Sequence, residues 1–156
     1  MKHIISVLVE NKFGVLARVS GLFSARGFNI NSLTVGETQD PAVSRMTIVV
    51  KGDDKILEQV KKQLNKLIDI ISIKDFIGKE HTDRELLIFK VSVNKGTKAK
   101  AVKLLKKLGA KIIKICPDTV TAEMVGDKEH VEKTIESLKE FGIKDIARTG
   151  RIAMEL

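Results

Sequence analysis

Asn11, Gly14 and Asn29 are the residues whose types and spacing best suit the binding of a small ligand. Asn11 and Gly14 directly precede an apolar pattern of helical spacing over residues 15–24. The first turn of a helix has about four unpaired N–H groups and about half a positive charge, which suit a carboxylate. Glycine lets a ligand approach the backbone, and an asparagine side chain both donates and accepts hydrogen bonds. This stretch therefore predicts a site for a carboxylate-bearing ligand such as an amino acid, with both asparagines beside the first turn of the helix.

Two features of this stretch have a second interpretation. Both asparagines could instead form Asx turns, with Gly14 only turning the chain. The small residues Ala17, Gly21 and Ser24 share one side of the helix, which suits either a contact between two chains or close packing of helix on sheet within one chain. The residues by themselves leave these alternatives open.

No set of side chains indicates catalysis or metal binding. Cys116 is the only cysteine, and the pair Asp53 and Asp54 is explained by capping of a helix. No phosphate-binding glycine motif occurs. The histidines lie far apart and in no metal-binding spacing: they are His3, His81 and His130. We therefore expect no catalytic residue, no metal site and no enzyme activity.

Composition predicts a folded protein of one or two small domains. The chain has 156 residues, of which 43% are hydrophobic and 31% are charged. It has no long apolar segment, and its first residues do not resemble a secretory signal. A single cysteine fits a reducing compartment. We expect a cytoplasmic protein without a membrane partner.

A basic segment in the second half stands out from the rest of the chain. The net charge is +8, and eight lysines follow one another without an intervening acid: Lys95, Lys98, Lys100, Lys103, Lys106, Lys107, Lys111 and Lys114. The chain has no Trp or Tyr, so the stacking platforms that single-stranded nucleic acid requires are missing. A solvated helix face is the favoured interpretation, and no nucleic-acid partner is expected.

The order of predicted elements repeats. Strands over 4–9, 28–35, 44–50 and 68–76 alternate with helices after Gly14 and Asp53, which gives the order βαββαβ. The same order returns over 86–154, with a last strand from 143 to 154. The polar segment 78–84 is the predicted linker between domains 1–77 and 85–156. We therefore expect an α+β protein of two tandem units.

Glycine spacing supports this repeat. Gly14 and Gly27 are thirteen residues apart, as are Gly96 and Gly109, and each pair brackets the first helix of its unit. Where the first unit has Asn29, the second has Lys111. We therefore expect an amino acid to bind only to the first unit.

The first half resembles the ACT domain of the regulatory small subunit of acetolactate synthase, also called acetohydroxyacid synthase. The residues that carry the resemblance are Asn11–Val19, Gly21–Phe23, Arg26–Ile30, Ser32–Val35, Ser44–Ile48 and Leu57–Val60. The resemblance implies two ferredoxin-like βαββαβ units, a homodimer formed through the ACT domains, and a branched-chain effector, usually valine, at the dimer interface. The chain departs from many family members at Phe13, where they have proline.

The resemblance also implies residue roles and partners. The partner would be a large catalytic subunit that carries thiamine diphosphate, magnesium and FAD, with no cofactor on this chain. This chain would activate that subunit and confer feedback inhibition by valine. The alternative is a stand-alone ACT-type amino-acid sensor that regulates transcription or another enzyme. The expected effector-binding residues are Asn11, Lys12, Phe13, Gly14, Val15, Leu16, Asn29 and Ile30.

Overall fold

A computed structural model describes residues 2–156, which divide into two compact units. One unit contains the chain up to Thr82 together with residues 151–156, and the other contains Asp83–Gly150. The division falls inside the predicted linker 78–84. The structure differs from the predicted domains at the carboxyl end, because the last six residues belong with the first unit.

The first unit has the predicted βαββαβ order. Its elements are β1 (Lys2–Glu10), α1 (Val15–Ser24), β2 (Ile30–Glu37), β3 (Val43–Lys51), α2 (Asp54–Leu64) and β4 (Ile70–Asp75). The strands form one antiparallel sheet in the order β2-β3-β1-β4. β2 therefore lies at an edge of the sheet.

The core of the first unit fills the space between the sheet and the two helices. Alternate residues of β1 and β3, such as Ile5 and Ile48, are fully buried and pack with Val19 and Phe23 of α1 and with Val60 of α2. Burial of such side chains contributes about 1.5–3 kcal/mol each, which fixes the helices on this face of the sheet.

Local sequence signals explain where the helices begin and end. α2 begins at the predicted cap, where the Asp53 carboxylate accepts a hydrogen bond of 2.9 Å from the Ile56 N–H. After α1, Gly27 has φ +67°, and the Phe28 N–H donates to the Phe23 carbonyl at 3.0 Å. This left-handed closure is the one that the glycine predicts.

The outer face of the first sheet is covered by the carboxyl terminus of the chain. Strand β9 (Ile152–Glu155) places Ala153 against Ile4, Val49 and Phe76, and all four residues are buried. The Lys74 ammonium lies 2.6 Å from the Glu155 carboxylate. These contacts explain why the last residues cluster with the first unit.

The second unit repeats the fold of the first. Its elements are β5 (His81–Ser92), α3 (Lys98–Lys107), β6 (Lys111–Ile115), β7 (Thr119–Gly126), α4 (Lys128–Leu138), a 3₁₀ turn (Lys139–Phe141) and β8 (Ile143–Arg148). The strand order is β6-β7-β5-β8, so β6 is the edge strand that corresponds to β2.

One predicted strand is wrong in extent. The sequence predicts a single strand over 143–154, but β8 ends at Arg148 and β9 begins at Ile152. Gly150 between them has φ +80°, a left-handed conformation that an extended strand does not contain. The Thr149–Gly150 pair was the sequence signal for this turn.

No helix within residues 2–156 is long and apolar enough to span a membrane.

An ion pair between α2 and the end of β4 gives the first testable expectation. The Lys61 ammonium lies 2.8 Å from the Asp75 carboxylate, and this hydrogen bond holds the pKa of Asp75 below its ordinary value. A carboxyl group whose pKa is depressed by folding stabilises the fold above its unfolded pKa, and that contribution is lost as pH falls through the lower folded pKa.

We therefore expect Lys61→Gln to reduce the free energy of unfolding by about 0.5–1 kcal/mol at pH 7. The difference from the wild type should shrink between about pH 4 and pH 2, because Asp75 is then protonated in both proteins. Urea unfolding at each pH measures it. A difference that stays constant down to pH 2 would contradict the assignment.

Candidate functional site

The start of α1 in the first unit leaves backbone donors unoccupied. Gly14 has φ +80° and supplies no side-chain cap, and the first turn contains no acidic residue. The Arg18 N–H donates to the Gly14 carbonyl at 3.0 Å. The Val15 N–H makes only a long hydrogen bond, of 3.4 Å, to the Lys12 carbonyl. Within the described residues 2–156, the N–H groups of Leu16 and Ala17 have no backbone partner, an arrangement that suits an anionic ligand.

Arg18 adds a second positive group at this place. Its Nε donates to the Asp69 carboxylate at 2.8 Å, and Asp69 is only 5% exposed. A Cβ atom added to Gly14 would lie 3.0 Å from Arg18 Nη1, so the guanidinium lies directly over the glycine. The buried carboxylate holds this guanidinium in place, because an unpaired buried charge is costly. Sequence analysis missed Arg18, although its position four residues after Gly14 places it one helical turn away.

Asn11 connects the turn before α1 to the loop between β2 and β3. Its Nδ2 donates to Glu37 Oε1 at 3.1 Å and to the Pro41 carbonyl at 2.8 Å. The Asn11 N–H also donates to the Ala42 carbonyl at 2.7 Å. Asn11 therefore does not form the Asx turn considered above, and its side chain lies beside the carboxyl end of β2.

Asn29 lies at the other end of the same strand. Ile30 at the start of β2 pairs with Val50, and Glu37 at its end pairs with Ser44. Eight extended residues span roughly 20–25 Å, so Asn29 is separated from Asn11 by about the length of β2. The expectation that both asparagines lie beside the first turn of the helix is therefore wrong for a single chain.

The small residues of α1 face open space. Ala17, Gly21 and Ser24 are exposed, and a Cβ atom added to Gly21 would meet nothing within 4 Å. Close packing of this side on the sheet of the same chain is therefore excluded. Of the two interpretations given by the sequence, contact with another chain is the one that remains.

The other predicted site residues surround the start of α1 or the start of β2. The Glu10 carboxylate accepts a hydrogen bond from Lys12, which raises the pKa of the Lys12 ammonium, and Phe13 is fully exposed. Val15 is buried in the core, whereas Leu16 is 45% exposed. Ile30 is partly buried and packs against the core at the same end as Asn29. Lys12, Phe13 and Leu16 thus lie at the turn where α1 begins, and Val15 packs in the core beneath this turn.

The corresponding turn of the second unit is closed by its own asparagine. Asn94 Oδ1 accepts hydrogen bonds from the N–H groups of Gly96 and Thr97, each at 2.9 Å. This is the local use of an asparagine that the Asx-turn interpretation describes, and Gly96 does not have positive φ. The two units therefore share a fold but differ in the hydrogen bonds of the asparagine before the first helix and in the backbone conformation of the glycine that follows it.

Two family models together match nearly the whole chain. Residues 5–72 match the AHAS small subunit-like ACT domain, and residues 84–156 match the small subunit of acetolactate synthase. The chain belongs to the acetolactate synthase small-subunit family. Its first unit is an ACT domain, and the predicted α+β fold of two βαββαβ units is confirmed.

Relatives of this family match over almost their full length. The chain is 49% identical to a probable acetolactate synthase small subunit of Archaeoglobus fulgidus, over 99% of this chain and 96% of the relative. It is 46% identical to the corresponding protein of Methanothermobacter thermautotrophicus, over 97% and 91% of the two chains. The crystal structure of the acetolactate synthase small subunit of Thermotoga maritima superposes with a TM-score of 0.92 at 37% identity and covers 100% of this chain and 98% of that one. These relatives support a regulatory, non-catalytic role beside a catalytic subunit.

The position of Gly14 gives an expectation about the turn before α1. Gly14→Ala should lower the free energy of unfolding by about 1–2 kcal/mol, because alanine is strained at positive φ. The added methyl group should also displace Arg18, which lies 3.0 Å away. Gly109→Ala is the matched control, since Gly109 has φ +73° but open space around its Cβ position.

Chemical denaturation measures the stability of both variants. We expect a loss of stability in both variants, larger in Gly14→Ala because it also disturbs the ion pair between Arg18 and Asp69. Only Gly14→Ala should weaken the binding of a carboxylate ligand to the first unit. Unchanged ligand binding in Gly14→Ala would contradict the placement of the site.

Proposed function

We propose that this protein is a regulatory subunit that activates an acetolactate synthase catalytic subunit and makes it sensitive to inhibition by valine or another branched-chain amino acid. The observation that carries the proposal is the unoccupied start of α1, where the N–H groups of Leu16 and Ala17 and the guanidinium of Arg18 converge beside a glycine. In this arrangement, a carboxylate binds to backbone donors at the positive end of a helix.

The complete site requires two chains. β2 is an edge strand of the first sheet, and the small residues of α1 lie on the exposed side of the helix. Antiparallel pairing of β2 with β2 of a second copy brings the start of one strand beside the end of the other. Asn29 of one chain then lies near Glu37 of its partner, and Asn11 is hydrogen-bonded to that glutamate.

The two chains together offer separate places for the carboxylate, the ammonium group and the side chain of an amino acid. The carboxylate lies on the start of α1 of one chain. The ammonium group is received by the side-chain oxygens of Asn11 and of Asn29 from the other chain, since each carboxamide has an acceptor. The exposed side chains of Leu16 and Val35 and the half-buried Ile30 offer an apolar environment to a branched side chain.

Regulation then follows from differential binding. An effector changes activity only if it binds two states of the assembly with different affinities. A ligand shared by two chains favours the state in which the ACT domains are paired. Thiamine diphosphate, magnesium and FAD are expected on the catalytic partner rather than on this chain.

Acetolactate formation by the catalytic subunit of the same organism tests the proposal directly. We expect addition of this chain to raise the rate and valine to lower it again, while valine has no effect on the catalytic subunit alone. Valine at about a hundredfold excess over its dissociation constant should also stabilise the chain by roughly 2.7 kcal/mol. An absence of rate change together with an absence of a melting shift for valine, leucine and isoleucine would rule out the proposal.

A mixed dimer tests whether the two asparagines come from different chains. Asn11→Ala and Asn29→Ala chains with different tags are expressed together, and the heterodimer is isolated through both tags. If each site uses Asn11 of one chain and Asn29 of the other, the heterodimer has one intact site and one site that lacks both asparagines.

Calorimetry should therefore find one valine per heterodimer, two per wild-type dimer and none in either mutant homodimer. Complete loss of binding in the heterodimer would show that both asparagines of a site belong to one chain. Circular dichroism of each variant checks that the fold is retained.

A further inference from the structure

The second unit has a surface that corresponds to the proposed pairing surface of the first. The glycines that bracket the first helix of each unit are offset by 82 residues, as Gly14 to Gly96 and Gly27 to Gly109. With this offset, Gly21 and Ser24 correspond to Lys103 and Lys106 on α3, and Asn29 and Ser32 correspond to Lys111 and Lys114 on β6. We call Lys103, Lys106, Lys111 and Lys114 the lysine face.

The positive charge of the lysine face is largely uncompensated. All four side chains are exposed, and within residues 2–156 only Lys111 has an acidic neighbour, the Glu123 carboxylate at 3.5 Å. Other lysines of this unit are paired, as in the contacts of 2.8 Å between Lys100 and Glu140 and 2.7 Å between Lys133 and Glu129. The lysine face therefore presents a cluster of cations that its own unit does not neutralise.

The lysine face borders the open edge of the second sheet. Lys100 reaches Glu140 just after α4, and α3 contacts β6, so Lys103 and Lys106 lie on the helix that packs beside this strand. β6 is an edge strand, and its Ile113 and Ile115 are 52% and 49% exposed. Apolar side chains on an unpaired edge, surrounded by charges, have the composition of a protein interface.

The positive charge of the lysine face limits which partner can bind at the β6 edge. A second copy that paired through β6 would bring lysine against lysine, and like charges opposite each other in a sheet are destabilising. Nucleic acid is disfavoured because the segment 94–117 contains neither an arginine nor an aromatic residue. The exposed isoleucines require apolar contact, which a protein surface rich in Asp and Glu provides together with the complementary charge.

We propose that the lysine face and the β6 edge bind an acidic surface of the acetolactate synthase catalytic subunit. This inference rests on the proposed function and adds to it a division of labour between the units. The neutral, small-residue surface of the first unit pairs with its own copy, whereas the same surface of the second unit is charged and binds a different protein. Electrostatic complementarity of this kind raises the rate of association and selects the partner.

Neutralisation of the lysine face tests the proposal in the full-length chain. The variant is Lys103→Gln/Lys106→Gln/Lys114→Gln, since glutamine has a helix propensity close to that of lysine. The matched control is Lys55→Gln/Lys62→Gln/Lys66→Gln, which removes the same number of charges from exposed lysines in and after α2 that have no acidic partner within residues 2–156. Binding to the catalytic subunit is measured by calorimetry in 50 mM and 300 mM KCl, and valine-induced melting shifts are measured in parallel.

We expect the lysine-face variant to bind the catalytic subunit at least about tenfold more weakly at low salt, with a smaller dependence on salt. The control variant should bind like the wild type, and all three proteins should show the same valine-induced melting shift.

Equal binding by the lysine-face variant and the wild type would overturn the inference and leave the proposed function intact. An equal loss in the control would overturn it too, since net charge rather than the face would then be responsible. If the lysine-face variant bound a 20-base-pair DNA duplex more weakly than the wild type but bound the catalytic subunit equally well, the lysine face would be assigned to nucleic acid instead. If the wild type binds no catalytic subunit at either salt concentration, the proposed function itself fails.

Discussion

The edge position of β2 is the constraint on which the proposed site depends. In a βαββαβ unit with strand order β2-β3-β1-β4, β2 lies at one side of the sheet. α1 begins where β1 ends, and β2 ends at the same end of the sheet, since Glu10 and Glu37 pair with the neighbouring residues Val43 and Ser44 of β3. The start of α1 and the end of β2 are therefore neighbours, while Asn29 is placed a strand length away. A second copy is the simplest way to bring Asn29 back to the helix.

An ion pair between the buried Asp69 and the half-exposed Arg18 fixes the start of α1. Asp69 is almost completely buried, and its carboxylate holds Arg18 over Gly14. Gly14 has no side chain that could cap the helix, and Asn11 bonds to the β2–β3 loop rather than to the turn. The second unit shows the alternative, because Asn94 bonds to the turn itself. The two units therefore use the asparagine before their first helix in different ways.

The two units share a backbone arrangement but differ in the side chains on their exposed surfaces. Both have an exposed first helix beside an edge strand, and both helices end in the same left-handed glycine turn, with hydrogen bonds from Phe28 to Phe23 and from Ala110 to Leu105. The backbone geometry is thus repeated, but the side chains on the exposed surface change from small and neutral to cationic. Since the backbone of an edge strand offers pairing to any neighbour, these side chains determine which neighbour is accepted.

The sequence by itself determined the elements and their repeat, because apolar spacing, helix caps and glycines act locally: Asp53 caps α2 and Gly27 closes α1 as predicted. It also identified the candidate ligand-binding stretch and the family. Tertiary structure decided what depends on distant pairing. The register of β2 on β3 separated Asn29 from Asn11, Asp69 brought Arg18 over Gly14, and the turn at Gly150 let Ala153 pack against Ile4 and Val49 of the first unit. These contacts join residues 50 or more positions apart or lie on opposite ends of a strand, so no local pattern in the sequence encodes them.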